Sequence, residues 1–194
     1  AQHASTLWAC DFFTKEVWTL LGPVEMYVLL FIHIETRQIW TSRATPHPDS
    51  AWVAQQARNA TMEMQDRTTE TPRFLIHDRD TKFTRQFDGI FESSGCQIVK
   101  LPIHSPNLNA YCERVIQSIK QELLDHFVVF GEHHLNHLTA EYAKYYHTLR
   151  PHQGIENRLP AGTDPPTDAR PPADQLVCHT HLGGLLKHYA PRAA

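Results

Sequence analysis

Cysteine is scarce in this chain. There are four in 194 residues, Cys10, Cys96, Cys112 and Cys178, and no two show Cys-x-x-Cys spacing. That argues against a zinc ribbon, and the apolar or acid-flanking surroundings of three of them read as reduced thiols of a cytosolic protein. Long apolar runs are also missing. The strongest, residues 24–34, is too short and interrupted to span a bilayer, and no signal-peptide pattern is visible, so no membrane partner is expected. A basic excess is absent as well: 18 Lys and Arg stand against 21 Asp and Glu, a formal net charge of -3. Charge alone therefore does not announce a nucleic-acid binder, although an acidic cluster lowers the total and a basic patch can be local. Fourteen histidines soften the balance at mildly acid pH. No internal repeat is present.

What is there is an ordinary globular composition, 41% hydrophobic and 20% charged, at a length that suits one domain plus an appendage. Residues 6–13 (TLWACDFF) read as a buried strand ending in an acid, and 24–34 (VEMYVLLFIHI) as the strongest strand signal. A turn at Glu35-Thr36-Arg37 leads to a third strand over 38–44, giving an antiparallel meander. Asp49 is placed to cap a helix over 49–66. A short strand, 73–77, runs into Asp78. A helix over 84–94 stops at Gly95, and 97–101 is a fifth strand. Helices are predicted over 108–126 and 132–148 beyond a loop at 102–107. Five prolines between Leu159 and Pro172 mark 159–172 as a linker, and 173–194 is a short tail with a basic end. Strands one, four and five can lie parallel, joined by right-handed crossovers. The order is that of an α/β, RNase H-like fold: a five-stranded mixed sheet flanked by helices, spanning residues 1–158.

Three acids stand where convergence is natural. Asp11 follows the first strand, Asp78 follows the fourth, and Glu113 lies on the helix that crosses that end of the sheet. Carboxylates gathered so closely repel one another unless a cation fills the gap, which is hard to justify structurally. Hard oxygen ligands suit magnesium. Two such ions, about 4 Å apart, activate a nucleophile and neutralise a phosphodiester.

With these residues in view, the sequence resembles the DDE integrase core shared by retroviral integrases and bacterial insertion-sequence transposases, over roughly residues 5–160. The resemblance rests on Asp11 in Trp-Ala-Cys-Asp, Asp78 in HDRDTKF, Glu113 in SPNLNAYCER, and the YHTLRPHQGIENRLP segment. Where the family usually has Asn-Gly after the second acid, this chain has Arg79-Asp80. That makes Asp80 a rival ligand; the spacing to Glu113 and to Phe83 favours Asp78, leaving Asp80 as a cap of the next helix or an outer-shell group.

The resemblance implies a transposase or integrase that cleaves and transfers DNA strands using two Mg²⁺ ions, with Mn²⁺ as substitute, bound by Asp11, Asp78 and Glu113. It also implies a homo-oligomer that joins transposon ends to target DNA in a bacterial cytoplasm, and an upstream DNA-binding region outside this chain. The alternatives are a catalytically silent DNA-binding module and an RNase H-like nuclease. On the Glu113 helix, Asn109, Gln117 and Lys120 share the stripe of the acid and are expected to face DNA. Arg150 and His152, in the Arg-Pro-His-Gln-Gly turn, are further DNA candidates, with helix capping an equal reading for Arg150. His133, His134 and His137 share a helix, but nothing nearby completes a metal site. Cys10 is expected in the core, because neighbours on a strand point to opposite faces.

Overall fold

A computed structural model of the chain describes residues 3–68, 70–102, 109–162 and 175–191. The loop at 102–107 and the proline-rich linker lie largely outside these residues. Five strands form one sheet: β1 (Leu7–Thr19), β2 (Gly22–His33), β3 (Ile39–Thr41), β4 (Phe74–His77) and β5 (Gln97–Lys100), in the spatial order β3-β2-β1-β4-β5. β1 pairs antiparallel with β2, and β2 with β3, while β1, β4 and β5 run parallel. This is the mixed RNase H-like sheet expected from the sequence.

Helices cover both faces. α1 (Ser50–Arg67) and α2 (Arg85–Ser93) pack on one, α3 (Ala110–Glu122) and α4 (Gly131–Thr148) on the other. The two-residue period of β1 sorts its side chains between them. Trp8 and Cys10 enter the core under α1 and α2 with Leu29, Phe31, Phe87 and Phe91; Ala9, Phe13 and Val17 enter the core under α3 and α4 with Leu30, Ile116 and Tyr142. At about 25 cal/mol per Å² of apolar surface, two such layers supply most of the driving force for folding.

The helix ends follow local chemistry. The Asp49 carboxylate accepts from the Trp52 N–H at 2.8 Å, and Thr84 Oγ1 caps α2 by accepting from Phe87 N–H at 3.3 Å. Each such cap contributes about 1 kcal/mol. Gly95, at φ 83°, takes the left-handed turn after α2 that a side chain would strain. Thr84, and not Asp80, is the cap of α2.

Two elements differ from the sequence reading. β1 does not stop at Phe13 but runs on to Thr19, with Val17 buried, Glu16 facing out and Lys15 Nζ donating to Leu124 C=O at 2.7 Å, so Asp11 sits inside the strand. It still marks the end of the parallel ladder, which stops at Ala9 opposite Ile76. Beyond Ala9 the strand continues as a ribbon with β2, and Trp18 N–H near its end donates to Val129 C=O at 2.8 Å. Residues 176–191, read as part of a tail, form an antiparallel hairpin of β6 (Leu176–His181) and β7 (Leu186–Pro191). Its Leu186 is buried in the α3–α4 core, and Lys187 C=O accepts from Tyr145 OH at 3.3 Å.

Candidate functional site

The parallel β1–β4 register sets the positions of two of the acids. Extending it two residues past Ala9 and Ile76 brings Asp11 opposite Asp78. Alternation along β1 puts Asp11 on the same side as Ala9 and Phe13, the side covered by α3. There Asp11 and Glu113 line one open cavity of about 370 Å³, together with Phe12, Gln117, Lys120 and Asp125. Glu113 is solvent-exposed on the first turn of α3.

The electrostatics agree with this grouping. The Asp11 carboxyl is pushed up from an ordinary 3.8 to about 7, by burial first, then by the Asp78 charge, with Glu113 and Asp80 adding to it; a hydrogen bond from Phe12 N–H to Oδ1, 2.8 Å, pulls the other way. Like charges and partial desolvation thus favour the protonated form of Asp11. Among the described residues, however, no three carboxylate, imidazole or thiol groups stand close enough together to chelate one ion.

Asp78 is braced from below. Its Oδ1 accepts from Asp80 N–H at 3.0 Å, and its carbonyl lies 2.5 Å from His77 Nδ1. The His77 ring is buried, and its Nε2 meets Asp88 Oδ1 at 3.0 Å, while Asp88 Oδ2 pairs with Lys100 at 2.6 Å. Asp80 is engaged by Lys82, whose Nζ lies 2.6 Å from Oδ2 and whose N–H donates to Oδ1 at 2.9 Å.

The sequence-predicted DNA contacts divide. Gln117 and Lys120 line the Asp11 cavity beside Glu113. Asn109 does not share that face: it is 4% exposed, and its Nδ2 donates to Cys10 C=O at 3.3 Å, fastening the start of α3 to β1. Helical spacing aligned it with Glu113, but Asn109 precedes the helix, with non-helical backbone at φ -108° and ψ 21°, and so does not follow the stripe. Arg150 is drawn inward to Glu122, its Nη2 at 2.6 Å from Oε1 and its Nε at 3.1 Å from Oε2. It therefore ties the end of α4 to the end of α3. His152 is buried, with Nε2 at 3.2 Å from Tyr146 C=O, and burial lowers its pKa to about 4. Cys10 and Cys112 are fully buried thiols whose pKa burial raises, so neither is a nucleophile. Asp125, an acid in the short turn after α3, lines the Asp11 cavity without having been foreseen, because it falls past the helical stripe.

Comparison with known proteins agrees with the architecture. The integrase core domain family profile matches residues 94–160, which includes Glu113 but neither Asp11 nor Asp78. Among the curated proteins, no sequence matches significantly. Solved structures do match in fold. The HTLV-2 integrase catalytic core domain in complex with magnesium, in its dimeric form, aligns with a TM-score of 0.60 at 9% identity, covering 81% of this chain and 94% of that one. A chain of the simian T-cell lymphotropic virus intasome, in complex with a PP2A regulatory subunit, aligns with a TM-score of 0.63 at 11% identity, covering 96% of this chain and 67% of that one. The catalytic core domain of BIV integrase aligns at 0.55 and 14% identity, covering 81% and 91%. The chain thus shares its fold with retroviral integrase catalytic cores, and its residues 94–160 are similar to the integrase core domain family.

Proposed function

We propose that the chain is a transposase or integrase that cleaves DNA at the ends of a mobile element and transfers the strand to target DNA. Asp11, Asp78 and Glu113 would hold two magnesium ions. The observation that carries this reading is the Asp11 carboxyl, raised to about 7 by burial and by Asp78, Glu113 and Asp80, in a cavity open to solvent. Bound divalent ions would relieve that repulsion, activate the attacking oxygen and stabilise the leaving one.

The residues around the acids have tasks of their own. Phe12 N–H orients Asp11, and Asp80 N–H orients Asp78. Lys120 and Gln117, along the cavity wall, hold a backbone phosphate beside Glu113. Lys82 keeps Asp80 occupied, so that Asp78 is the ligand. Joining two DNA ends calls for more than one copy, hence a homo-oligomer on DNA in the bacterial cytoplasm. Among the described residues no helix is long and apolar enough to cross a membrane.

A second reading, a DNA-binding module without catalysis, is favoured by the lack, among the described residues, of three metal-ligating groups placed to share one ion. The experiment that separates them is strand cleavage of a labelled duplex bearing the element's end, with Mg²⁺ or Mn²⁺. The transposase reading expects metal-dependent product that Asp11→Asn and Glu113→Gln each abolish. DNA binding without product under either metal would instead establish the silent module.

A further inference from the structure

The Arg-Pro-His-Gln-Gly turn takes no part in the acid site. It lines a separate cavity of about 380 Å³ on the other side of α3. The helix thus has two working faces. Glu113, Gln117 and Lys120 look toward Asp11, whereas Tyr111, Arg114, Val115 and Ser118, spaced by three and four, look into this second cavity. Arg150 to Gly154 close it from the end of α4, and Arg37 from the turn between β2 and β3.

Among the described residues, three arginines line the cavity, Arg37, Arg114 and Arg150, and no Asp or Glu does. Glu122, behind the wall, neutralises Arg150. Arg37 lies over the Tyr111 ring, 4.1 Å from its centroid, and Nη1 donates to Ile34 C=O at 2.6 Å. Gly154 makes room for that guanidinium, since a Cβ there would stand 3.2 Å from Arg37 Nη2. Arg114 is exposed, and among the described residues it has no hydrogen-bond or ion-pair partner. Two positive charges are therefore left over, in a chain whose net charge is -3. The wall also includes apolar surface from Ile32, Val115 and Tyr146.

We propose that this cavity binds a phosphate group, carried by a nucleotide or by a nucleic-acid strand. Arginine forks match phosphate oxygens in pairs, and a dianion balances both surplus charges where a single carboxylate would leave one. The exposed edge of Tyr111 offers a surface to the ring that such a phosphate carries. The site is separate from the metal ligands, so it operates in EDTA.

The test is titration of the whole chain in EDTA with inorganic phosphate, followed by ³¹P NMR, and with a fluorescent 5′-phosphorylated single strand, followed by anisotropy. Arg114→Gln changes an exposed, unpartnered side chain and should leave the melting temperature unchanged. It is expected to weaken phosphate binding about tenfold. Gly154→Ala should weaken it by displacing Arg37, and Lys144→Gln, an exposed charge on α4 outside the cavity, should not. If the strand also loses affinity in Arg114→Gln, the phosphate belongs to nucleic acid; if only inorganic phosphate does, the ligand is a small phosphate ester. Phosphate binding that fails to saturate, or that Arg114→Gln leaves intact, overturns the proposal.

Discussion

Replacing Asp11 by Asn should make the metal-free protein more stable while removing its affinity for metal. The Asp11 carboxyl titrates near 7 in the fold, against 3.8 ordinarily. Between those values the folded chain holds a proton that the unfolded chain has released, so stability falls as pH rises through this window and the loss is complete above it. At about 1.4 kcal/mol per pH unit, the ceiling is about 4 kcal/mol. Partial solvent access and salt screening reduce this to about 2 kcal/mol. Asparagine removes the charge and keeps an oxygen to accept the Phe12 N–H. Thermal unfolding followed by circular dichroism in EDTA should therefore show Asp11→Asn melting about 4–8 °C above the parent at pH 8. The advantage should shrink to less than half at pH 5. Added Mn²⁺ should raise the parent's melting temperature and leave the variant's unchanged. A variant no more stable than the parent at pH 8, or one whose advantage is the same at both pH values, would refute the crowding of charge around Asp11.

Three further outcomes follow from contacts elsewhere in the fold. His147 and His152 are held neutral, both lowered to about 4 chiefly by burial, and His147 Nε2 accepts from Ile39 N–H at 2.9 Å. The unfolded chain gains these protons first, so stability falls as pH drops from 6.5 toward 4; the ceiling for the two groups is about 7 kcal/mol, which partial solvent access reduces to about 3 kcal/mol, and His147→Gln should flatten that slope in urea titrations. Glu122 accepts from Arg150 twice and from Tyr142 OH at 3.0 Å, so Glu122→Ala should cost about 2–3 kcal/mol by chemical denaturation, while Glu122→Gln should cost less. Lys120→Ala should weaken DNA binding uniformly across sequences and lower the salt slope of log K by about 1, as measured by anisotropy between low and moderate salt.

The sheet was legible because its signals are local. The apolar run over 24–34, the short FLIH strand and the Asp49 and Gly95 boundary residues each depend on a few neighbouring positions. The parallel pairing that sets Asp11 opposite Asp78 follows from the order of elements and the right-handedness of crossovers. The extension of β1 was hidden because Thr14, Lys15 and Glu16 break the apolar run, although Phe13, Lys15 and Val17 keep the alternation of a half-buried ribbon. The hairpin over 176–191 was hidden for a similar reason. Its branched apolar residues, Leu176, Val177 and Leu186, stand at the strand ends among His, Thr, Lys and Cys, and only Gly183-Gly184 signalled the turn.

In the site, spacing gave the stripe of Glu113, Gln117 and Lys120 but erred at Asn109. A helical period holds only within the helix, and Asn109 is the residue before it, where the backbone is not yet helical. The pairing of Arg150 with Glu122 was not legible, because the two become neighbours only when α3 and α4 pack together. Arg37 carried no local signal: its role depends on Tyr111 and Gly154, both distant in sequence.

The central claim is that Asp11, Asp78 and Glu113 share metal ions. Anomalous scattering from crystals of the chain soaked in Mn²⁺ tests it most directly. A peak between Asp11 and Asp78 and near Glu113, with Asp80 still turned to Lys82, is the predicted result; one ion in the absence of DNA satisfies it. No peak at saturating Mn²⁺, with the three carboxylates well ordered and apart, would contradict the claim and leave the chain as a DNA-binding module.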